Sequence, residues 1–301
     1  MQFTGTGVAM VTPFDSTGKP DLAAVKRVTE HLIAGEVEFL VPMGTTGESV
    51  TLTDEEFAAV VDTVIETNNG RKPVLLGCGG SDTALVASKI ERYGARFDPD
   101  GFLSASPAYN KPTQEGIYQH FKTLAASTNK PIMLYNVPGR TGSNIAAETT
   151  LRLAHDCDNI VAIKEASGDL MQGMRIIKGK PAGFAVLSGD DPFAIAQLGA
   201  GYDGVISVIG NAFPKQYSDL VRAARKGDLE RAQRLQMQLL DIFPLMFKEG
   251  NPAGIKMTMH LLGIIEPHVR LPLVNASEVL RDEILAALQQ AGLAGTPVSR
   301  N

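Results

Sequence analysis

Residues 37–66, VEFLVPMGTTGESVTLTDEEFAAVVDTVIE, contain a short apolar run, a turn rich in glycine and threonine, and an amphipathic segment. A short, nearly continuous apolar run is typical of a parallel strand that is covered on both faces. Thr53, followed three residues later by Glu56, forms a capping box that predicts the start of a helix. One apolar face then repeats at helical spacing: Phe57, Val60, Val61, Val64 and Ile65. The stretch therefore predicts a strand followed by a helix that packs against the sheet.

Seven other apolar runs, each bounded by turn residues, share this pattern. They are GVAMVTPF (from Gly7), PVLLGCGG (Pro73), GFLSASPA (Gly101), PIMLYNVP (Pro131), IVAIKEAS (Ile160), FAVLSGDD (Phe184) and GVISVIGN (Gly204). Helical signals separate the runs; after the seventh, Asp191 and Pro192 predict the N-cap and first position of a helix. Eight alternations of strand and helix favour an α/β protein with a closed (β/α)8 TIM barrel over an open doubly wound sheet.

The pattern changes beyond about residue 226, where only helical periodicity remains. Two apolar faces mark it: Leu229, Ala232, Leu235, Leu239 and Ile242, then Val279, Leu280, Ile284, Leu285 and Leu288. The sequence therefore predicts two domains, a barrel with the active site at residues 1–225 and a C-terminal helical appendage at residues 226–301.

Charge and composition exclude several classes of partner. The net charge is -5 and no run of Lys and Arg is present, which disfavours nucleic acid and anionic membrane surfaces. No signal peptide and no apolar stretch of membrane-spanning length is recognisable. Cys78 and Cys157 lie far apart and outside any CxxC pattern, so we expect a cytoplasmic protein without disulfides.

Lys164 is the most informative polar residue, because it interrupts a strand that should be buried on both faces. Strand alternation groups it with Ala162, so its side chain can point into the mouth of the barrel, where such enzymes carry their sites. Desolvation there disfavours the ammonium form, and a neutral amine is a nucleophile towards carbonyl groups. A lysine paired with Glu165, or one that snorkels from the strand end, explains the position equally well.

Further polar residues follow the predicted strands. Tyr135 occupies a strand-end position in the fifth run, where a phenol could shuttle protons, although an ordinary half-buried aromatic is the simpler interpretation. Arg140 follows in a loop and suits bidentate binding of a carboxylate. The turn at 44–48, GTTGE, offers hydroxyls and backbone amides to a small anion. No histidine spacing typical of a zinc site is present, so we predict no metal.

Taken together, the motifs resemble the dihydrodipicolinate synthase/N-acetylneuraminate lyase family of class I (Schiff-base) aldolases. The matching segments run in order along essentially the whole chain: GTTGES at 44–49, PAYNKPTQEG at 107–116, YNVPGRTG at 135–142, IKEASGD at 163–169, LSGDD at 187–191, GVISV at 204–208, NPAGIKM at 251–257 and RLPL at 270–273. An ordered set of this length is far more specific than any single motif.

The resemblance implies a Schiff base between Lys164 and pyruvate, with addition to L-aspartate 4-semialdehyde and no metal or organic cofactor. It implies that Tyr135, Thr45 and Tyr109 form a proton relay, Tyr109 reaching into a neighbouring subunit of a homo-oligomer, usually a tetramer built as a dimer of dimers. Substrate contacts are implied for Thr46, Ile206, Arg140 and Gly189. Two alternatives stay open: another pyruvate-dependent aldolase, such as a sialic acid or sugar-acid lyase, and a catalytically silent sensor of pyruvate or amino acids.

The chain departs from the family at the effector site of members inhibited by L-lysine. Ser49 is retained, whereas the other matching positions carry Asp54, Phe57, Ser81, Leu85 and Ala108. The resemblance therefore implies that feedback inhibition by L-lysine is weak or absent.

Overall fold

The computed structural model describes residues 3–294, and a parallel sheet of eight strands lies at its centre. The strands are β1 (Gly5–Ala9), β2 (Phe39–Val41), β3 (Leu75–Gly77), β4 (Gly101–Ala105), β5 (Ile132–Asn136), β6 (Ile160–Glu165), β7 (Ala185–Ser188) and β8 (Gly204–Ser207). Hydrogen bonds join them in the order β2-β1-β8-β7-β6-β5-β4-β3. All eight fall within the predicted runs or overlap them.

A backbone bridge between β2 and the start of β3 brings the two edge strands together. Leu40 pairs with Val74, the Leu40 amide donates to the Pro73 carbonyl at 2.9 Å, and the Gly77 amide donates to the Pro42 carbonyl at 2.9 Å. Joining the edges removes the unpaired backbone groups of an open sheet. The predicted (β/α)8 barrel is therefore confirmed.

Helices connect the strands and continue after the last one. They are α1 (Leu22–Ala34), α2 (Asp54–Asn68), α3 (Thr83–Phe97), α4 (Gln114–Ala126), α5 (Pro138–Thr141), α6 (Ala147–Asp156), α7 (Leu170–Gly179), α8 (Ala194–Gly199), α9 (Pro214–Arg225), α10 (Leu229–Leu239), α11 (Ala253–Leu261) and α12 (Glu278–Gln290). Helices α10 to α12 follow the barrel as expected. The division into two domains at residue 226 stays a prediction, and residues 295–301 of the predicted appendage lie outside the described residues.

Two apolar layers hold the barrel together. The larger lies between the sheet and the helices, and the smaller fills the barrel interior. The interior side chains come from every strand and include Phe39, Leu75, Leu103, Met133, Tyr135, Ala162, Leu187 and Ile206. Gly7 on β1 makes this filling possible, because a Cβ at that position would collide with the Phe39 ring. The interior is a packed core that ends at the C-terminal mouth of the barrel.

The two helix starts predicted from the sequence had different outcomes. Thr53 and Glu56 form both hydrogen bonds of the capping box at the start of α2, as predicted. The prediction for Asp191 is wrong: a short 3₁₀ helix begins there, and its carboxylate accepts the amides of Val208 and Ile209, each at 2.8 Å. The carboxylate therefore ties the end of β7 to the turn after β8 instead of capping its own helix.

The two apolar faces predicted for the C-terminal helices each begin with a residue that is not buried. Leu229 and Val279, which begin them, are 50% and 68% exposed, whereas the later members of each face are buried or, for Leu235 and Leu285, partly buried. The first residue of an amphipathic helix contacts the core only if the helix axis lies flat along it, and sequence spacing does not contain that angle.

Candidate active site

Lys164 lies at the C-terminal end of β6 and is only 5% exposed. It pairs in register with Tyr135 on β5 and Leu187 on β7. Its Nζ atom lies 4.3 Å from the centroid of the Tyr135 ring. A cation or amine in this position is held against the face of an aromatic ring within the apolar mouth of the barrel.

Glu165, the alternative partner for Lys164, forms hydrogen bonds with other residues through both carboxylate oxygens. Its carboxylate accepts the side-chain amides of Asn136 at 3.0 Å and Gln172 at 2.9 Å, and the backbone amide of Ser167 at 2.7 Å. Glu165 is buried in this network, which joins β6 to β5 and α7. The network fixes the strand that carries Lys164 and leaves the amine free of Glu165.

The turn after β7 lies against the Lys164 side chain. A Cβ added at Gly189 would lie 3.0 Å from Lys164 Cε, so the glycine leaves the room that the lysine stem occupies. Burial raises the pKa of the next residue, Asp190, and the charge of Lys164 acts in the opposite direction. Among residues 3–294 the Asp190 Oδ2 atom has no hydrogen-bond partner. The site therefore holds an amine and a carboxyl group within electrostatic reach of each other.

A cleft of about 340 Å³ opens beside Tyr135 at this end of the barrel. Three residues of the predicted active site line it together: Thr45 from the turn after β2, Tyr135 from β5 and Arg140 from α5. The cleft walls are otherwise mostly small or apolar, including Gly79, Gly80, Leu103, Ala105 and Val137. A cleft with these walls and one guanidinium suits a small organic acid.

Thr46 and Ile206 are buried and are not among the residues that line the cleft. Thr46 is 2% exposed, and its Oγ1 atom accepts the Nδ2–H of Asn251 at 2.9 Å. Ile206 is fully buried on β8 and faces the barrel interior. Both residues come from strand ends that neighbour β1, since β1 pairs with β2 and with β8.

Tyr109 is placed differently from the other predicted residues. Its side chain is 95% exposed, it is not among the residues that line the cleft, and its backbone has a φ of 72°. Its amide donates to the Thr141 carbonyl at 3.1 Å, which holds the loop against α5. A role for Tyr109 in the relay depends on a second subunit.

A buried ion pair next to the site, between Lys256 and Glu48, was not predicted from the sequence. Lys256 Nζ donates to Glu48 Oε1 at 2.6 Å and to the His268 carbonyl at 2.8 Å, and both charged side chains are almost fully buried. Burial lowers the pKa of Lys256, and Glu48 opposes this effect. The signal was present, because Lys256 interrupts the apolar run AGIKMTMH as Lys164 interrupts its strand.

A sequence profile of the Dihydrodipicolinate synthetase family matches residues 2–291. The chain belongs to this family. It is 47% identical over 283 residues to the 4-hydroxy-tetrahydrodipicolinate synthase of Flavobacterium psychrophilum, covering 94% of this chain and 96% of the relative. The family membership makes the chain an enzyme, a lyase, and favours the synthase reaction over that of a sialic acid or sugar-acid lyase.

Solved structures of the family share the whole fold. Dihydrodipicolinate synthase from Thermotoga maritima superposes with a TM-score of 0.94 at 38% identity, covering 97% of this chain and 100% of that one. The chloride-inhibited dihydrodipicolinate synthase from Acinetobacter baumannii, complexed with pyruvate, superposes with a TM-score of 0.92 at 37% identity. The match covers 96% of this chain and 99% of that one.

Residues 3–294 contain no cluster of three or more His, Cys, Asp or Glu side chains that could hold a metal ion. None of the helices in this part of the chain is long and apolar enough to cross a membrane.

Proposed function

We propose that this enzyme condenses pyruvate with L-aspartate 4-semialdehyde, the reaction of 4-hydroxy-tetrahydrodipicolinate synthase, as a step of lysine and diaminopimelate biosynthesis. The observation that carries the proposal is Lys164, buried at the barrel mouth with its Nζ atom 4.3 Å from the Tyr135 ring centroid. Family relatives with the synthase name support the choice of substrates.

In the proposed mechanism, Lys164 attacks the ketone carbon of pyruvate, and loss of water gives a protonated imine. The imine withdraws electrons, so the methyl group loses a proton and an enamine forms. The enamine carbon adds to the aldehyde carbon of the second substrate. The amine of that substrate then attacks the imine carbon, closes the ring and releases Lys164. Tyr135, Thr45 and Tyr109 move the protons in this proposal, and no cofactor takes part.

The carboxylates of the two substrates have separate proposed sites. Thr46 and Ile206 hold pyruvate, with the Gly189 backbone beside it. Arg140, on the wall of the cleft, binds the carboxylate of the incoming aldehyde. Tyr109 is exposed and does not line the cleft, so in this proposal it completes the relay from a second subunit. We further propose a cytoplasmic location and, from the family resemblance, a homotetramer.

Three assays separate this proposal from its rivals. Incubation with pyruvate and borohydride, followed by peptide mass mapping, is expected to place a reduced adduct on Lys164. Product formation is then measured with L-aspartate 4-semialdehyde, and the reverse cleavage with sialic acid. Cleavage of the sugar acid alone would support the lyase, and absence of any adduct would support a silent sensor.

L-lysine is expected to inhibit the enzyme weakly or not at all. Phe57 stacks on Tyr93 with ring centroids 4.7 Å apart, and Asp54 pairs with Arg92 at 3.1 Å, so neither is free to bind an amino acid. Leu85, half exposed, offers no carboxylate to an amino group. Initial rates are measured with L-lysine up to millimolar concentration; strong inhibition in that range would contradict the prediction.

A further inference from the structure

The C-terminal helical segment supplies a side chain to the turn that holds Thr45 and Thr46. Asn251, two residues before α11, donates its Nδ2–H to Thr46 Oγ1 at 2.9 Å. Both side chains are buried, Thr46 at 2% and Asn251 at 6% exposure. Two residues separated by 205 positions are thus in direct contact next to the cleft.

The neighbouring contacts hold the two segments at a fixed distance. Glu48 accepts Lys256 Nζ at 2.6 Å with one carboxylate oxygen and the Arg270 amide at 2.9 Å with the other. Arg270 also donates to the Thr51 carbonyl at 2.8 Å. Because these bonds fix the backbone on both sides, the Asn251 amide has little freedom to leave Thr46.

A threonine hydroxyl has one proton to donate and lone pairs to accept with. The Asn251 N–H already occupies the accepting side of Thr46. Among residues 3–294, no side chain or carbonyl accepts the Thr46 proton. The hydroxyl is therefore left as a donor, which is the role that an anion such as a carboxylate requires.

We propose that Asn251 is a positioning residue that orients the Thr46 hydroxyl as a hydrogen-bond donor to the carboxylate of pyruvate. The inference rests on the proposed function, because it takes pyruvate as the first substrate. Asn251 acts through Thr46 and does not need to touch the reacting atoms.

The test is Asn251→Asp, which keeps the shape of the side chain and replaces the Nδ2–H donor with an oxygen that accepts. An ionised carboxylate only accepts, so Thr46 would turn its proton towards residue 251 and away from the substrate. We expect the KM for pyruvate to rise by about 10- to 100-fold, as for the loss of a hydrogen bond to a charged group. The kcat and the KM for the semialdehyde should change by less than about threefold, since neither depends on this bond. A merely structural role would change all three.

The same substitution in a Thr46→Val background is the matched control. Without the hydroxyl, Asn251→Asp should add less than about twofold to the pyruvate KM, because the two residues act as one unit. An equal rise in both backgrounds would mean direct repulsion of the substrate and would overturn the inference. Asn251→Ala is the second variant in case the aspartate impairs folding; it should also raise the pyruvate KM, and an unchanged value in a folded sample would overturn the inference.

The two proposals fail in different ways. Wild-type enzyme that forms no borohydride-trapped adduct with pyruvate would contradict the proposed function. Wild-type enzyme that forms the adduct, together with variants whose pyruvate KM is unchanged, would contradict the role of Asn251 alone.

Discussion

Replacement of Lys164 by alanine is expected to abolish the borohydride-trapped pyruvate adduct and to lower kcat/KM for the condensation by at least about 10³-fold. Lys164 carries the amine at the end of β6; the neighbouring Glu165 is a carboxylate, which cannot form an imine and is hydrogen-bonded to Asn136 and Gln172. Without the imine, the methyl group of pyruvate is not acidified and the enamine does not form. Steady-state rates and intact-protein mass after reduction measure the two effects.

Two lysine substitutions serve as controls for this experiment. Lys164→Arg keeps a cation and much of the volume but offers no nucleophilic amine, so it should be as inactive as the alanine variant. Lys26→Ala removes an exposed lysine on α1 and should keep full activity. Turnover by a folded Lys164→Ala sample at near wild-type rate would show that catalysis does not pass through this amine.

The second large effect is expected from Lys256→Met. This change leaves Glu48 buried with the Arg270 amide but without its cation. Removal of one partner from a buried ion pair is expected to lower the free energy of unfolding by about 3–5 kcal/mol, because the remaining charge is uncompensated. Urea unfolding monitored by circular dichroism measures the change.

The double variant Glu48→Gln with Lys256→Met tests whether the uncompensated charge of Glu48 causes the loss of stability. It removes both charges, so much of the lost stability should return if the isolated carboxylate was responsible. Equal destabilisation in the single and double variants would attribute the loss to the contact of Lys256 Nζ with the Phe14 ring, whose centroid lies 4.2 Å away.

The barrel could be predicted from the sequence because its strands are buried on both faces. Each strand then appears as a short apolar run, and the turn residues between runs separate them. Lys164 was recognisable for the same reason, as a charged residue inside such a run. Tyr135 lies near the end of β5 and Arg140 shortly after that strand, and the fold alone brings strand ends to one side of the barrel.

Contacts between distant parts of the chain could not be predicted in this way. Asp191 looked like a helix cap from its own neighbours, but its partners are the amides of Val208 and Ile209. Asn251 begins the motif NPAGIKM, but nothing in that motif indicates its partner, because Thr46 lies 205 residues earlier. Propensity and periodicity describe what a residue does within its own element, and these bonds depend on how the elements pack.

The ion pair of Glu48 and Lys256 also sets an order of events during synthesis. The two residues are 208 positions apart, so a ribosome adding 5–20 residues per second incorporates Glu48 roughly 10–40 s before Lys256. Throughout that interval Glu48 lacks the cation that faces it in the folded protein. The turn after β2 can therefore be held against the C-terminal segment only after nearly all of the polypeptide has been made.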